Sequence, residues 1–276
     1  MTIREALKKY HSIDETELFL SHLLKYSKSD LIKNPSQKLT KSQEFSLDKM
    51  IGAFKKGAPA AYLLGYKYFY GQKFKVNRSV LIPRPESEWL VDKTLDYINT
   101  KNIKSILDIG TGSGCLAISI FQNSPAGTKI KVTATDISPK ALKIAQANAK
   151  SLKSKVTFKQ SDLLSNIRSN PDLIIANLPY VPVSDYRKFI SNLKQEPKLA
   201  LTDGTNDSIL YTKLIEQISK RKQKPKVILF ELDPSTKPIL SSAVRQFLGP
   251  KSEQRPYKLT FHKDLNQLIR YAVLEF

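Results

Sequence analysis

Between residue 101 and the end of the chain, short apolar runs alternate with segments of helical periodicity. The apolar runs cover residues 104–109, 129–136, 155–160, 171–177, 226–232, 257–262 and 271–276. The helical segments cover residues 115–121, 138–150, 208–221, 236–247 and 264–270. Alternating β and α segments are typical of a mostly parallel sheet with helices on both faces. The sequence therefore predicts an open α/β domain over residues 89–276.

The residues before this domain follow another pattern. Residues 1–72 are predicted to form a small helical domain, in which Ser12 with Glu15 and Thr40 with Gln43 have the spacing of helix-capping boxes. Residues 73–88 are predicted to form a β-hairpin connector, because aromatic and apolar residues alternate around them.

Aromatic residues are frequent in and just before this connector, at Tyr66, Tyr68, Tyr70 and Phe74. Such side chains stack on bases in some nucleic-acid-binding proteins. More often they pack against each other across strands, which is the interpretation we favour.

Composition limits the chemistry available to the chain. Of the 276 residues 41% are hydrophobic, which is enough for a packed core. The single cysteine, Cys115, excludes an internal disulfide and a cysteine-based zinc site. With three histidines and no H-x-x-x-H pair, no catalytic metal is predicted. No apolar run approaches the ~20 residues of a membrane span, and the first residues lack an apolar signal-peptide centre, so a cytoplasmic protein without a membrane partner is expected.

The net charge of +20 predicts attraction to polyanions. One interpretation is weak contact with nucleic acid or the ribosome through a basic surface. The basic residues are dispersed along the chain, however, so we favour the interpretation that they solvate the surface. No heptad pattern or large apolar stripe predicts a dimer, and a monomer is expected.

A glycine-rich loop lies where the first strand of the α/β domain meets its helix. Gly110, Gly112 and Gly114 allow the backbone to turn sharply and approach a ligand beside a helix N-terminus. The dinucleotide fingerprint needs its third glycine one residue later, where this chain has Cys115. The loop therefore predicts a nucleotide-like ligand without a pyrophosphate.

Polar residues follow the other predicted strands at corresponding positions. Asp136 ends the second strand, where a carboxylate suits the two hydroxyls of a ribose. Asp162 and Leu163 follow the third strand and suit an adenine amino group and ring, and Asn177 ends the fourth. Asp108 ends the first strand, where it either orders the loop or meets a cationic ligand. Ligands of open α/β sheets bind at the carboxyl ends of the strands, so these residues predict one site.

This set of residues resembles that of the class I S-adenosylmethionine-dependent methyltransferases. The resemblance implies a Rossmann-like seven-stranded sheet whose last strand is antiparallel, with S-adenosylmethionine as cofactor and no metal. The cofactor-binding residues that it implies are Asp108, Gly110, Thr111, Gly112, Ser113, Gly114, Asp136, Ile137, Asp162, Leu163 and Asn177.

Residues 177–180, N-L-P-Y, are similar to the [DNS]-P-P-[YFW] signature of enzymes that methylate planar nitrogens. The resemblance implies that Asn177 Oδ1 and the Leu178 carbonyl accept the two N–H bonds of the substrate. Pro179 would stiffen the turn, and the Tyr180 ring would lie on the planar group. Leu178 departs from the usual proline, which loosens the loop because φ is no longer fixed.

Three longer stretches carry a second resemblance: residues 59–91 with "LIPRPE", residues 195–211 with "QEPKLALTDGTNDSILY", and residues 263–273 with "KDLNQLIRYAV". They resemble the HemK/PrmC-type protein-(glutamine-N5) methyltransferases. The resemblance implies methylation of the Gln in the Gly-Gly-Gln motif of a peptide chain release factor, which would dock on the N-terminal domain. Arg84 and Glu86 would then lie near the cofactor cleft as substrate-binding residues, or would form a salt bridge that fixes the two domains. "FELDPSTKP" lacks the family's usual Gly and Gln.

Two alternatives stay open at this point. N-L-P-Y is also similar to the motif of the rRNA adenine dimethyltransferases, so an N6-adenine methyltransferase acting on rRNA or DNA is the first alternative. The second is a binding module that kept the fold and lost catalysis, for which only Leu178 and the "FELDPSTKP" segment speak.

Overall fold

A computed structural model describes residues 1–11, 13–188, 195–206, 208–249 and 257–276. The chain divides into two compact units, Met1–Tyr66 and Lys67–Phe276. The predicted boundaries at residues 72 and 88 differ from this division. The reason is that the hairpin starts earlier than predicted, with strands β1 (Tyr66–Phe69) and β2 (Gln72–Lys75), and most of it belongs to the larger unit.

The smaller unit is helical, as predicted. Its helices are α1 (Ile3–Lys9), α2 (Thr16–Leu24), α3 (Lys28–Lys33), α4 (Lys41–Lys55) and α5 (Ala60–Leu64). Thr40 and Gln43 form the predicted capping box at the start of α4. Ser12 lies outside the described residues, and Glu15 precedes α2 without a side-chain capping bond. Phe19, Leu20 and Leu47 are fully buried between these helices, so the unit has its own core.

The hairpin of the larger unit places its phenylalanines inside. Phe69 and Phe74 are buried and meet edge to face, with ring centroids 6.1 Å apart. Tyr70 donates a hydrogen bond to Asp92 at 2.7 Å, whereas Tyr68 is exposed. The packing favoured from the sequence is therefore confirmed for Phe74, whose partner Phe69 was not predicted, whereas the Tyr68 side chain is not buried by such packing.

The larger unit is built on a seven-stranded sheet. Its strands are β3 (Ser105–Ile109), β4 (Lys131–Asp136), β5 (Thr157–Gln160), β6 (Leu173–Asn177), β7 (Val227–Glu231), β8 (Lys258–Lys263) and β9 (Ile269–Glu275). They lie in the order β5-β4-β3-β6-β7-β9-β8, and β9 is antiparallel to both of its neighbours. The remaining pairs are parallel, so the prediction of a parallel sheet with an antiparallel last strand is confirmed.

Helices cover both faces of this sheet. They are α6 (Glu88–Lys101), α7 (Cys115–Asn123), α8 (Pro139–Ser151), α9 (Val183–Lys188), α10 (Lys198–Leu201), α11 (Ile209–Ser219) and α12 (Thr236–Leu248). Alternate strand residues enter different cores: Ile106 belongs to the core that includes Leu90 of α6, and Leu107 belongs to the core that includes Leu214 of α11. Successive side chains of a strand point to opposite faces of the sheet. Because helices cover both faces here, the strands need apolar residues on both sides, and this explains their continuous apolar runs.

One predicted helix is wrong. Residues 264–270 join β8 to β9 as a turn and the start of a strand. The Asp264 carboxylate accepts hydrogen bonds from the main-chain N–H groups of Asn266 and Leu268, at 2.9 and 3.0 Å. Asp supports turns through such bonds, and here they outweigh the helical spacing of the apolar residues.

Within the described residues, no helix is long and apolar enough to cross a membrane.

Candidate active site

A cavity of about 280 Å³ opens at the carboxyl ends of β3, β4, β5 and β6. Its wall includes residues 109–113, 136–138, 161–163 and 177–179, each group following one strand. Parallel strands end at the same edge of a sheet, which is why four separate stretches of sequence meet here. The predicted meeting of the strand ends is confirmed.

Hydrogen bonds to the end of β4 hold the glycine loop, residues 110–114, in place. The N–H groups of Gly110 and Thr111 both donate to the carbonyl of Thr135, each at 2.8 Å. Gly112 N–H donates to Asp136 Oδ2 at 2.9 Å. A Cβ atom at Gly112 would meet no atom within 4 Å, so the backbone there faces open space. This arrangement lets a ligand approach the main chain closely.

Gly114 carries the tightest packing of the loop. It precedes α7 with a φ of 81°, in the left-handed region that favours glycine. A Cβ atom there would lie 3.0 Å from Ile118 Cδ1 and 3.1 Å from Ala145 Cβ. The glycine therefore lets α7 begin close against α8.

We expect Gly114→Ala to lower the free energy of unfolding by about 2–5 kcal/mol, because a left-handed alanine costs about 1–2 kcal/mol and overpacking costs about 1–3 kcal/mol. Gly127→Ala is the matched control: its φ is 83°, but a Cβ atom there would meet nothing within 4 Å. Urea unfolding of both variants measures the difference, and equal losses would show that the contact at Gly114 contributes nothing.

Asp136 lies at the centre of the predicted cofactor side. Its Oδ2 accepts from Gly112 N–H, and its Oδ1 accepts from Ser138 N–H at 2.8 Å. A carboxylate has about four acceptor directions, which is more than the main-chain N–H groups around Asp136 occupy, so Asp136 can still accept from a ligand. Burial raises the pKa of Asp136, whereas the main-chain N–H donors oppose this shift. Ser138 also caps α8 as predicted, since its hydroxyl accepts from Ala141 N–H at 3.2 Å.

Asp108 lies beneath the loop and is fully buried. Thr111 donates its hydroxyl proton to Asp108 Oδ2 at 2.6 Å. Burial raises the pKa of Asp108 to about 7, with the charge of Asp136 adding to this effect and the Thr111 bond opposing it. Among the predicted cofactor residues, Asp108 and Gly114 do not line the cavity, while Thr111 and Ser113 do.

The end of β5 and the start of α8 supply the other wall. Ile137 is 49% exposed and lines the cavity together with Asp162 and the buried Leu163. Ser161 donates its hydroxyl proton to the Leu163 carbonyl at 2.9 Å, which fixes this turn. An exposed isoleucine and a leucine around a carboxylate suit a flat ring that carries an amino group.

Residues 177–179 form the edge of the cavity opposite residues 161–163, whereas the predicted site residue Tyr180 does not line the cavity and packs against the core. Asn177 ends β6 and donates from Nδ2 to Ser87 Oγ at 3.2 Å. Pro179 lines the cavity, and the hydroxyl of Tyr180 lies 3.5 Å from Glu231 Oε1. The Leu178 side chain is 4% exposed and packs into the core below the sheet. This packing holds the turn where a proline is usual.

Three polar residues of this region were not predicted from the sequence, namely Ser87, Tyr211 and Glu231. Tyr211 is fully buried and points its hydroxyl at the carbonyls of Glu231, at 2.6 Å, and Leu178, at 3.2 Å. Glu231 ends β7 directly opposite Asn177 on the neighbouring strand. A carboxylate at the end of the next strand was the signal in the sequence, and it was missed because the "FELDPSTKP" segment departs from the family pattern.

The pairing considered for Arg84 with Glu86 is wrong. Arg84 Nη2 forms an ion pair with Glu196 Oε1 at 2.5 Å, and both residues belong to the larger unit. Glu196 is buried and also accepts from Ile82 N–H at 3.1 Å, so it is anchored to receive the guanidinium. Arg84 lines the cavity and Glu86 does not. The carbonyl of Glu86 instead accepts from the Tyr271 hydroxyl at 2.8 Å.

Comparisons with known proteins give the chain its family. Residues 3–65 match the PrmC N-terminal domain, and residues 89–205 match the Methyltransferase small domain. A release factor glutamine methyltransferase of Bacillus cereus is 34% identical, and the match covers 84% of this chain and 86% of that protein. The one from Mycoplasma mycoides is 32% identical over 96% of this chain and 93% of that protein.

The fold has solved counterparts as well. The catalytic domain of human METTL16, in complex with the MAT2A 3'UTR hairpin 6, superposes with a TM-score of 0.61 at 14% identity, covering 80% of this chain and 82% of that one. At this identity the likeness concerns the fold.

The sheet order, the glycine loop under Asp136 and the cavity at the strand ends define an S-adenosylmethionine-dependent methyltransferase of class I. The identities to curated relatives over most of their length then fix the group within this class. The chain belongs to the release factor glutamine methyltransferase family.

Proposed function

We propose that the protein transfers a methyl group from S-adenosylmethionine to the side-chain amide nitrogen, N5, of the Gln in the Gly-Gly-Gln motif of a peptide chain release factor. The observation that carries this proposal is the position of Asn177 and Leu178 in the cavity wall, next to Gly110 of the glycine loop. Family membership supports the substrate class, since the relatives are named release factor glutamine methyltransferases.

A glutamine amide needs orientation rather than a strong base. Its nitrogen lone pair is delocalised into the carbonyl group, which makes the nitrogen a poor nucleophile. Asn177 Oδ1 accepts one N–H of the substrate and the Leu178 carbonyl accepts the other, which fixes the direction of the nitrogen. The Leu178 carbonyl oxygen has two lone pairs. One faces the Tyr211 hydroxyl at 3.2 Å, which is the longer of the two contacts that this hydroxyl makes, so the other acceptor direction is open. Orientation of this kind supplies much of the rate in well-placed reactions.

The residues of the cavity fit S-adenosylmethionine, which supplies the methyl group as part of a sulfonium ion. The remaining acceptor capacity of Asp136 would hold the ribose hydroxyls. Ile137 and Leu163 would enclose the adenine ring, with Asp162 beside its amino group. The open backbone at Gly112 would carry the methionine part, as the space around it allows. Within the described residues, no group of three or more His, Cys, Asp or Glu is placed to hold a metal ion.

The partner surfaces follow from the remaining residues. The Tyr180 ring would lie on the planar amide, and Arg84, held by Glu196, would contact the substrate at the mouth of the cavity. The N-terminal unit, Met1–Tyr66, would dock the body of the release factor. The alternative of an adenine methyltransferase is not favoured, because the curated relatives that match most of this chain bear the release factor name.

The proposal is tested by methyl transfer from labelled S-adenosylmethionine. The acceptors are a purified release factor, the same factor with Gly-Gly-Ala in place of Gly-Gly-Gln, and naked rRNA. We expect label in the unaltered factor alone. Label in the RNA, or equal label in the Gly-Gly-Ala factor, would contradict the proposed substrate.

A further inference from the structure

A buried hydrogen-bond chain runs from the candidate catalytic amide to a carboxylate behind it. Asn177 Nδ2 donates to Ser87 Oγ at 3.2 Å, and Ser87 donates its hydroxyl proton to Glu231 Oε2 at 2.7 Å. Ser87 and Glu231 are 3% and 2% exposed. Glu231 does not line the cavity, whereas Asn177 and Ser87 do. The carboxylate therefore has no direct access to a substrate.

The chemistry of the three groups gives this chain a direction. An ionised carboxylate can only accept hydrogen bonds, so in its bond to Glu231 the Ser87 hydroxyl must be the donor, and this uses its single proton. Ser87 Oγ can then only accept from Asn177, which requires the NH₂ end of the amide to face Ser87. The oxygen of the same amide is thereby turned away from Ser87. Without the charge on Glu231, the Ser87 proton would be free to bond Asn177 Oδ1, and the amide could rotate by half a turn.

We propose that Glu231 is a positioning residue that acts through Ser87 and keeps Asn177 Oδ1, rather than Nδ2, turned towards the substrate amide. The inference rests on the proposed function, because only a substrate that donates N–H bonds needs an oxygen at this place. In the reversed orientation, the NH₂ group of Asn177 would face an N–H group of the substrate amide. Two hydrogen-bond donors repel each other, so the substrate nitrogen would not be held.

Glu231 is surrounded by groups that bear on its charge. They are Tyr180 after β6, Tyr211 on α11, Cys115 on α7, Glu86 before α6, and Arg270 and Tyr271 on β9. Burial raises the pKa of Glu231 and the charge of Glu86 adds to this, while Ser87 and Arg270 oppose it. A protonated Glu231 can donate to Ser87 Oγ and so release the Ser87 proton towards Asn177 Oδ1. The orientation is therefore held above the pKa of Glu231 and lost as the pH falls through it.

The first variant is Glu231→Gln, which removes the charge at nearly constant size. At saturating release factor and S-adenosylmethionine we expect kcat to fall about 10-fold or more, since a misplacement of 1 Å can cost about 100-fold. The Kd for S-adenosylmethionine should stay within about twofold of the wild-type value, because Glu231 does not reach the cavity. In the wild-type enzyme, kcat should fall at acid pH as Glu231 becomes protonated. This acid limb of the plot of kcat against pH should be absent from the variant.

Glu275→Gln is the matched control. Glu275 also ends a strand of this sheet and accepts from a tyrosine hydroxyl, that of Tyr97, at 3.2 Å. It lies opposite Val227, at the other end of β7 from Glu231, so its loss should leave kcat and its pH profile unchanged. Equal kcat and an equal acid limb in wild type and Glu231→Gln would overturn the proposal.

A second variant keeps the inference testable if Glu231→Gln does not fold. Ser87→Ala removes the relay and leaves the carboxylate, so it should also lower kcat and lose the acid limb. Where both variants fold, the double variant should be no slower than Ser87→Ala, because two members of one chain do not add. Wild-type kcat in Ser87→Ala, or fully additive losses, would overturn the proposal.

The wild-type enzyme separates this inference from the proposed function. If wild type does not methylate the release factor, the proposed function fails. If wild type does so and the variants equal it, only the positioning role of Glu231 fails.

Discussion

Asn177→Ala is expected to lower kcat for methylation of the release factor by about 10²–10³-fold, the usual cost of one preorganised polar contact to the reacting group. The variant loses the oxygen that would hold one substrate N–H, and alanine offers no replacement. The Kd for S-adenosylmethionine should change little, because residues 110–113 and 136–138, which also line the cavity, are left intact. Single-turnover rates and equilibrium binding measure the two quantities separately.

Asn123→Ala is the control for this variant. Asn123 also donates from Nδ2, to the Ser119 carbonyl at 2.8 Å, but it lies at the end of α7 that is remote from the cavity. It should keep the wild-type rate. An Asn177→Ala enzyme with the kcat of wild type would show that another group orients the substrate.

Asp136→Ala should act on cofactor binding instead. We expect the Kd for S-adenosylmethionine to rise by about 100-fold, since each hydrogen bond to a charged group contributes about 1.5–3 kcal/mol. The loss has two sources: the acceptors for the ribose, and the bond that holds Gly112 N–H in the loop. At saturating cofactor, kcat should be affected much less than the Kd.

Asp172→Ala distinguishes cofactor binding from general damage. The Asp172 carboxylate also accepts two main-chain N–H groups, those of Lys104 and Ser105, at 2.9 Å each. These bonds lie at the start of β3, at the opposite edge of the sheet from the cavity. Asp172→Ala should therefore lower the free energy of unfolding and leave the Kd unchanged. If Asp136→Ala binds S-adenosylmethionine like wild type, the ribose assignment is wrong.

The sequence predicted the parts of the fold that local pattern controls. The strands ending at Ile109, Asp136 and Asn177 were found because buried strands are continuous apolar runs that stop at polar residues. The cap at Ser138 followed from its position before Pro139. The turn after Asp264 was mistaken for a helix, because apolar spacing was weighed above the bonds that one aspartate makes to its own main chain.

Contacts between distant parts of the chain were not predictable in the same way. Ser87 and Glu231 are 144 residues apart in sequence, and Arg84 and Glu196 are 112 apart. Neither pair has a local signature, since each depends on which strand ends and turns the sheet order brings together. Strand-end residues of the cofactor side could be found one by one, whereas the network behind Asn177 required the folded chain.

The most direct test of the account is the chemical position of the transferred methyl group. A release factor methylated by this enzyme would be digested, and its peptides sequenced by tandem mass spectrometry, with the fragments assigned on both sides of the Gly-Gly-Gln motif. The account predicts one methyl group on the side-chain amide of that Gln. A methyl group on any other residue, or an unmodified peptide beside methylated RNA, would contradict it.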